Sequence, residues 1–470
     1  IYYLTRTGRG IFMREKKRHG GENRSGEIRW DFSVNINPLG MPEAAKAALL
    51  SGWNVFENYP DDGCEALRQA LAGRFGVDGG QVVCGNGASD LIYRLCACGG
   101  FRRVLLPVPS FSEYQRALES SGGQAEFFYT EEDCGFVPDE RILEAITRDF
   151  DALFLCNPGN PAGGLVGREL MERIIARCRE MSVTLIVDEC FLDFVPEGAR
   201  HSVLSILRSS SDSGENTAAE NTMEECDIVV IKAFTKIFAM AGLRLGFGIF
   251  GRKELAKRVF CWGAPWQVSG PAQTAGLAIL EASGLRAPDG YVSPARREEG
   301  VGKSDLPETV WDGFVRKTEL YIADQRRILE NELRELGFRT VPGCANYILF
   351  CGPAGLDQLL ARRGFSIRCC SDYTGLNRAD EWGKTAGVKR PVADECRKTD
   401  SIGQNGPGEC EKARLHAGLP GEKRICKEGR SGRHGVSGDM EYYRIAVRDR
   451  AENRLLLQEM RRCIEWLSIS

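Results

Sequence analysis

An α/β fold, a mainly parallel sheet covered by helices, is predicted by three observations. Short apolar runs recur between about residue 59 and residue 250, helical patterns separate several of them, and polar residues repeatedly follow the runs. Parallel neighbours need a crossover connection, and a helix is its usual form. Ligands of such folds bind beyond the carboxyl ends of the strands, so function is sought in the residues that follow each run.

The first helix is "EALRQALAGRF", which places Leu67, Leu71 and Phe75 on one face at a spacing of four; "QVVCG" after it reads as a short strand. Further buried strands are predicted at "RVLLP" (103–107), "AEFFY" (125–129), "ALFLC" (152–156), "VTLIVD" (183–188), "DIVVI" (227–231) and "LGFGIF" (245–250). The stretch "RELMERIIARCREM" (168–181) is the clearest of the intervening helices.

Composition narrows the function classes. The chain has 470 residues, room for two or three domains, and its 43 % hydrophobic and 27 % charged residues suit an ordinary globular protein. A net charge of −3 argues against a nucleic-acid partner, which calls for a concentrated basic surface. No apolar run approaches the roughly 20 residues that span a bilayer, so a soluble, cytoplasmic protein is expected. The 18 cysteines are scattered and follow no secretory signal, which favours reduced thiols. Cys396, Cys410, His416 and Cys426 match no zinc-ligand spacing, and no metal is predicted.

The N terminus starts with Ile1, and "MREKKRHGG" (13–21) looks like a natural start, so residues 1–12 read as upstream sequence. Residues 1–18 form a basic leader without an apolar centre, expected to lack fixed structure.

Polar residues follow the strands as the fold requires. "NGASD" (86–90) opens a helix near Leu91, and a glycine turn feeding a helix N-terminus is either an ordinary capped helix or a phosphate site. "NPGNPAGG" (157–164) carries Asn160, "VTLIV" ends in Asp188 and Glu189, and "DIVVI" leads to Thr235 and Lys236. Lys236 sits within the apolar "IKAFTKIFAMAGLRLGFGIF" (231–250), where a charge must be paired or neutralised.

The ordered set "GNGASD", "PSFSEY", "NPGNPAGG", "VDECFLDF", "TK" and "GLRLG" resembles the fold-type-I enzymes dependent on pyridoxal phosphate, the aspartate aminotransferase superfamily. The resemblance covers about residues 19–285 and resumes in 311–377 and 441–470. It implies a seven-stranded, mainly parallel sheet in a large domain (59–284), an N-terminal arm that forms part of the small domain (19–58), a polar insertion (285–310) and a smaller α+β domain (311–470). It also implies site roles. Lys236 forms the Schiff base with the cofactor, Asp188 pairs with the pyridine nitrogen, Asn160 hydrogen-bonds the ring oxygen and Phe111 stacks on the ring. Gly87, Ala88, Ser89, Thr235 and Arg244 hold the phosphate. Tyr59 reaches the phosphate of the neighbouring subunit, and a homodimer follows.

Within that superfamily, "HGG" (19–21), "DFSVNINPLGMP" (31–42), "APWQVSG" (264–270), "IRCCSDYTGL" (367–376) and "YYRIAVR" (442–448) resemble the threonine-phosphate decarboxylase family of cobalamin biosynthesis, a relative of the histidinol-phosphate aminotransferases. The implied substrate is a small phosphorylated amino acid, bound by His19, Ser33, Asn35, Arg368, Arg444 and Arg448, with carboxylate and phosphate unassigned among the arginines. Phe191 stands where most aminotransferases have a tyrosine. Decarboxylation and transamination use the same cofactor residues and stay open at this point. Residues 209–226, 285–307 and 378–440 depart from the family pattern; the last is rich in Gly, Lys, Arg and Glu and is predicted to be mobile, as a lid or as an inert insertion.

Overall fold

The apolar runs between residues 82 and 250 assemble into one seven-stranded sheet. The computed structural model describes residues 2–7, 10–15, 20–21, 27–210, 227–281, 309–376 and 440–469. At the N terminus, β1 (Tyr2–Thr7) and β2 (Gly10–Glu15) pair antiparallel, with Thr7 opposite Gly10. This hairpin occupies residues 2–7 and 10–15 of the leader expected over 1–18. The segments "YYLTRT" and "GIFMRE" are rich in aromatic and β-branched residues and flank Gly8 and Arg9, the length of a tight hairpin connection.

A short strand β3 (Trp30–Asp31) precedes the main sheet. The sheet comprises β4 (Val82–Gly85), β5 (Arg103–Val108), β6 (Gln124–Tyr129), β7 (Ala152–Cys156), β8 (Thr184–Asp188), β9 (Ile228–Ala233) and β10 (Gly246–Phe250), in the order β4-β10-β9-β8-β7-β5-β6. Neighbours from β9 through to β6 are parallel. Only β10 runs antiparallel, to both β9 and β4. Its connection, residues 234–245, holds a single-turn helix (Phe234–Ile237) and turns back at the strand ends instead of crossing the sheet. Strands β8 and β9 are buried throughout, as their unbroken apolar runs require of strands covered on both faces. The helix Arg168–Met181 buries Met171, Ile174, Ile175 and Cys178, one stripe at helical period.

A second sheet is built from the C-terminal part. Strands β11 (Arg339–Thr340), β12 (Tyr347–Pro353), β14 (Arg368–Cys369) and β15 (Met440–Ala446) form the antiparallel order β11-β12-β15-β14, while β13 (Phe365–Ser366) pairs parallel with β3. Trp30 stacks on Phe365 with centroids 4.5 Å apart, fixing the arm to this part. The helix Glu43–Ser51 packs instead on the helix Gly270–Leu280, so residues 19–58 serve both parts of the fold.

The long helix Val310–Glu335 is N-capped by Thr309, and the Val310 N–H donates to the Glu281 carbonyl at 3.1 Å, joining the two ends of the polar insertion. Apart from their ends, the insertions expected at 209–226, 285–310 and 378–440 lie outside the described residues. Among the described residues, no helix is long and apolar enough to cross a membrane.

Candidate functional site

The carboxyl ends of β4, β5, β7, β8 and β9 share one rim, and β10 begins there because it runs the opposite way: Gly246 pairs with both Gly85 and Ala233. Above the rim opens a cleft of about 910 Å³, counting the solvent at its mouth. It gathers residues from stretches of chain as far apart as Gly20 and Arg444.

One end is built for an anion. The helix Ala88–Gly99 starts at Gly87, has no side-chain cap, and presents Ala88 and Ser89 to the cleft. Its first N–H groups and the positive end of its dipole point at whatever binds there. Gly87 has φ +80° and ψ 169°, a conformation open essentially to glycine, and a Cβ on it would lie 2.4 Å from Arg244 Nη2. Arg244 thereby closes over the turn, donating from Nη2 to the Asn86 carbonyl at 3.2 Å. Thr235 lines the same end.

Lys236 lies on the single-turn helix after β9, where no carboxylate pairs with it among the described residues. Desolvation, reinforced by the charges of Arg444 and Arg244, lowers its pKa to about 8. Unlike Lys232 of the same run, which is paired with Asp193 and Glu189, Lys236 gives up its proton more readily than an ordinary lysine, which makes its Nζ a better nucleophile near neutral pH.

Asp188 ends β8 with both carboxylate oxygens engaged. Oδ1 accepts the Cys190 N–H at 2.9 Å and Oδ2 accepts the Tyr114 hydroxyl at 2.6 Å. Phe111 lines the cleft at the start of the helix Ser112–Ser120. Asn160 follows β7; its Oδ1 accepts from Arg444 Nη1 at 2.6 Å, which turns its amide nitrogen outward as a donor.

The opposite end carries the substrate-side candidates. Arg444, on β15, also donates from Nη2 to the Ser33 carbonyl at 2.8 Å, while its buried Nε has no partner among the described residues. Asn35 likewise has a buried Oδ1 without a protein partner. Ser33 is anchored by its hydroxyl to Asp31 Oδ1 at 2.5 Å and accepts the Gly21 N–H at 3.0 Å. Arg368, on β14, contacts both oxygens of Asp372 from Nη2, at 2.9 and 2.8 Å. Lys236, Arg244, Arg368 and Arg444 line the cleft together with the carboxylate of Asp188, and Arg368 is ion-paired with Asp372.

Two predicted residues, Arg448 and Tyr59, are not brought into this cleft. Arg448 lies beyond the end of β15, where it is paired with Glu452 at 2.5 Å and donates to the Asp31 carbonyl at 3.3 Å. Tyr59 is 79 % exposed and stacks on Trp266 at 4.3 Å, outside the cleft. His19 and the cysteine set Cys396, Cys410, His416 and Cys426 lie outside the described residues. Sequence reasoning missed Gly20, Ile92, Tyr114, Cys190 and Tyr373, all of which line the cleft. Tyr114 had a signal: it stands one helical turn after Phe111 in "PSFSEY". Phe191 lines the cleft too, its ring edge-on to Tyr347 at 5.0 Å.

Comparison with known proteins gives a concordant picture. The model of the family described as aminotransferase class I and II matches residues 28–384. The threonine-phosphate decarboxylase of Salmonella typhimurium is 34 % identical over 352 residues, 74 % of this chain and 84 % of that protein. Among solved structures, the histidinol-phosphate aminotransferase of Clostridium acetobutylicum superposes with a TM-score of 0.65 at 22 % identity, covering 93 % of this chain and 99 % of that one. The L-threonine-O-3-phosphate decarboxylase of Porphyromonas gingivalis does so with a TM-score of 0.59 at 20 % identity, covering 92 % and 99 %.

Proposed function

The chain belongs to the aminotransferase class I and II family, and from that premise we propose that it is a pyridoxal-phosphate-dependent decarboxylase of L-threonine O-3-phosphate, releasing carbon dioxide and (R)-1-amino-2-propanol O-2-phosphate for cobalamin biosynthesis. The cleft fits the cofactor on its own chemistry. The uncapped helix N-terminus with Gly87, Ala88, Ser89, Thr235 and Arg244 suits its phosphate, Asp188 its ring nitrogen, the Asn160 amide its ring oxygen, and Lys236 Nζ its aldehyde carbon. When bound, pyridoxal phosphate supplies the electron sink for the bond broken at the substrate Cα.

The protein's own residues do the rest. Decarboxylation needs the carboxylate held where its bond aligns with the sink, a task of orientation that forked guanidinium groups perform well. Arg444, locked by Asn160 and Ser33, and Arg368, steered by Asp372, would divide the substrate carboxylate and phosphate between them. Lys236, protonated below about pH 8, would return a proton to Cα after carbon dioxide leaves. The observation that carries this reading is that Arg444 and Arg368 line the cleft besides the Arg244 assigned to the cofactor phosphate, which suits a substrate with both a carboxylate and a phosphate.

Exposed aromatic residues support a homodimer. Trp53, Tyr59, Trp262 and Trp266 are 71, 79, 61 and 46 % exposed, and Tyr59 stacks on Trp266. Tyr59 would reach the neighbour's cofactor phosphate. The free thiols of the 14 described cysteines support a cytoplasmic location.

The deciding experiment supplies L-threonine O-3-phosphate to the cofactor-loaded protein without any keto acid. Carbon dioxide release that is lost in Lys236→Ala is expected. Absence of release, with amino-group transfer from histidinol phosphate to 2-oxoglutarate, would make the enzyme an aminotransferase instead.

A further inference from the structure

We infer that Tyr114 is a positioning residue for the cofactor: its hydroxyl holds the Asp188 carboxyl group in a fixed orientation for the ring nitrogen. This rests on the cofactor part of the proposed function and not on the choice of substrate.

The two groups form a buried, hydrogen-bonded unit. Tyr114 is 2 % exposed and Asp188 6 %, so water does little to solvate either. A carboxylate so placed keeps its charge only if protein donors replace water. Two do so. The Cys190 N–H takes Oδ1 at 2.9 Å, and the Tyr114 hydroxyl takes Oδ2 at 2.6 Å, the shorter of the two and a charge-assisted contact. The hydroxyl is aimed by ring packing: Tyr114 stacks on Phe154 with centroids 4.5 Å apart and an interplanar angle of 22°, and meets Phe111 edge-on at 5.6 Å.

The same short helix therefore carries both the ring-stacking candidate Phe111 and the group that aims Asp188. The Tyr114 phenol stays a donor throughout the working range, because burial, and then the charge of Asp188, push its pKa well above the ordinary value. A fixed carboxylate presents its charge to the ring nitrogen without reorganising during the reaction.

Tyr114→Phe keeps the ring and its stacking and removes only the hydroxyl. The test titrates the cofactor-free variant with pyridoxal phosphate, reads the dissociation constant and the visible absorption maximum, and repeats both in an Asp188→Asn background. Losing a hydrogen bond to a charged group should weaken cofactor binding by roughly tenfold or more, shift the absorption maximum, and lower kcat with KM little changed. In the Asp188→Asn background the second substitution should add almost nothing, since the two act as one unit. Unfolding of the cofactor-free proteins checks that each variant folds. Wild-type affinity and spectrum in Tyr114→Phe, or an equal loss in both backgrounds, would overturn the inference. Failure of carbon dioxide release with normal cofactor binding would sink the decarboxylase reading and leave this one standing.

Discussion

Arg444 and Asn160 meet in the floor of the cleft, Nη1 to Oδ1 at 2.6 Å, although 284 residues separate them in the chain. The contact ties β15 of the second sheet to the loop after β7 of the first, and aims both groups at once. An arginine with one nitrogen on Asn160 and another on the Ser33 carbonyl is fixed in plane, with its Nε left over.

Arg444→Lys should therefore raise the KM for L-threonine O-3-phosphate by about tenfold or more, as a lysine cannot reproduce the planar fork. Steady-state kinetics read this directly. A KM unchanged within a factor of two would mean that Arg444 braces Asn160 without touching substrate.

Lys236 should show its lowered pKa as reactivity. Covalent capture of pyridoxal phosphate by the cofactor-free protein, trapped with borohydride, should increase as pH rises through about 8 and then level off. Removing a neighbouring positive charge with Arg444→Gln should move that midpoint upward, since Arg444 helps depress it. A midpoint near the ordinary lysine value, about 10.4, would contradict the assigned environment.

Gly87→Ala meets two obstacles, a backbone conformation reserved for glycine and the Arg244 guanidinium. It should cost roughly 1–3 kcal/mol of stability and weaken cofactor binding by displacing Arg244. Gly242, where an added Cβ meets nothing within 4 Å, is the control and should tolerate alanine. Thermal unfolding and cofactor titration of both variants distinguish a local effect from a general one.

Beside Asp188 lies a buried ionic cluster that the chemistry does not use. Lys232 stands 3.6 Å from Glu189 and 3.2 Å from Asp193, and Glu189 also accepts the Val203 N–H at 2.8 Å. Lys232→Met would leave Glu189 buried with its cation gone, a loss of about 3–5 kcal/mol. Denaturant unfolding measures it. A loss below 1 kcal/mol would show that Glu189 is neutral in the folded state.

Trp266→Asp tests the exposed aromatic residues. Sedimentation should find a dimer for the native chain and a larger monomer fraction for the variant. A native monomer at micromolar concentration would remove the assembly reading and the role proposed for Tyr59.

The sequence by itself determined the element types, most strand limits within a residue or two, and the reactive candidates that follow strand ends. These are local facts: unbroken apolar runs mean strands buried on both faces, and a lysine within one must be neutralised or paired. The tertiary structure decided what depends on partners distant in the chain. Arg444 and Arg448 look alike in "YYRIAVR", but β15 ends at Ala446, so Arg444 is held in the cleft while Arg448 is captured by Glu452 one helical turn further on. Likewise, Tyr114 is one more aromatic of a helix until Asp188, 74 residues later, arrives against its hydroxyl. The reversal of β10, which brings Arg244 over Gly87, also exists only in the folded sheet. The physical reason is common to all three: a short contact between remote residues is set by strand order and register, and neither is encoded within a local window of sequence.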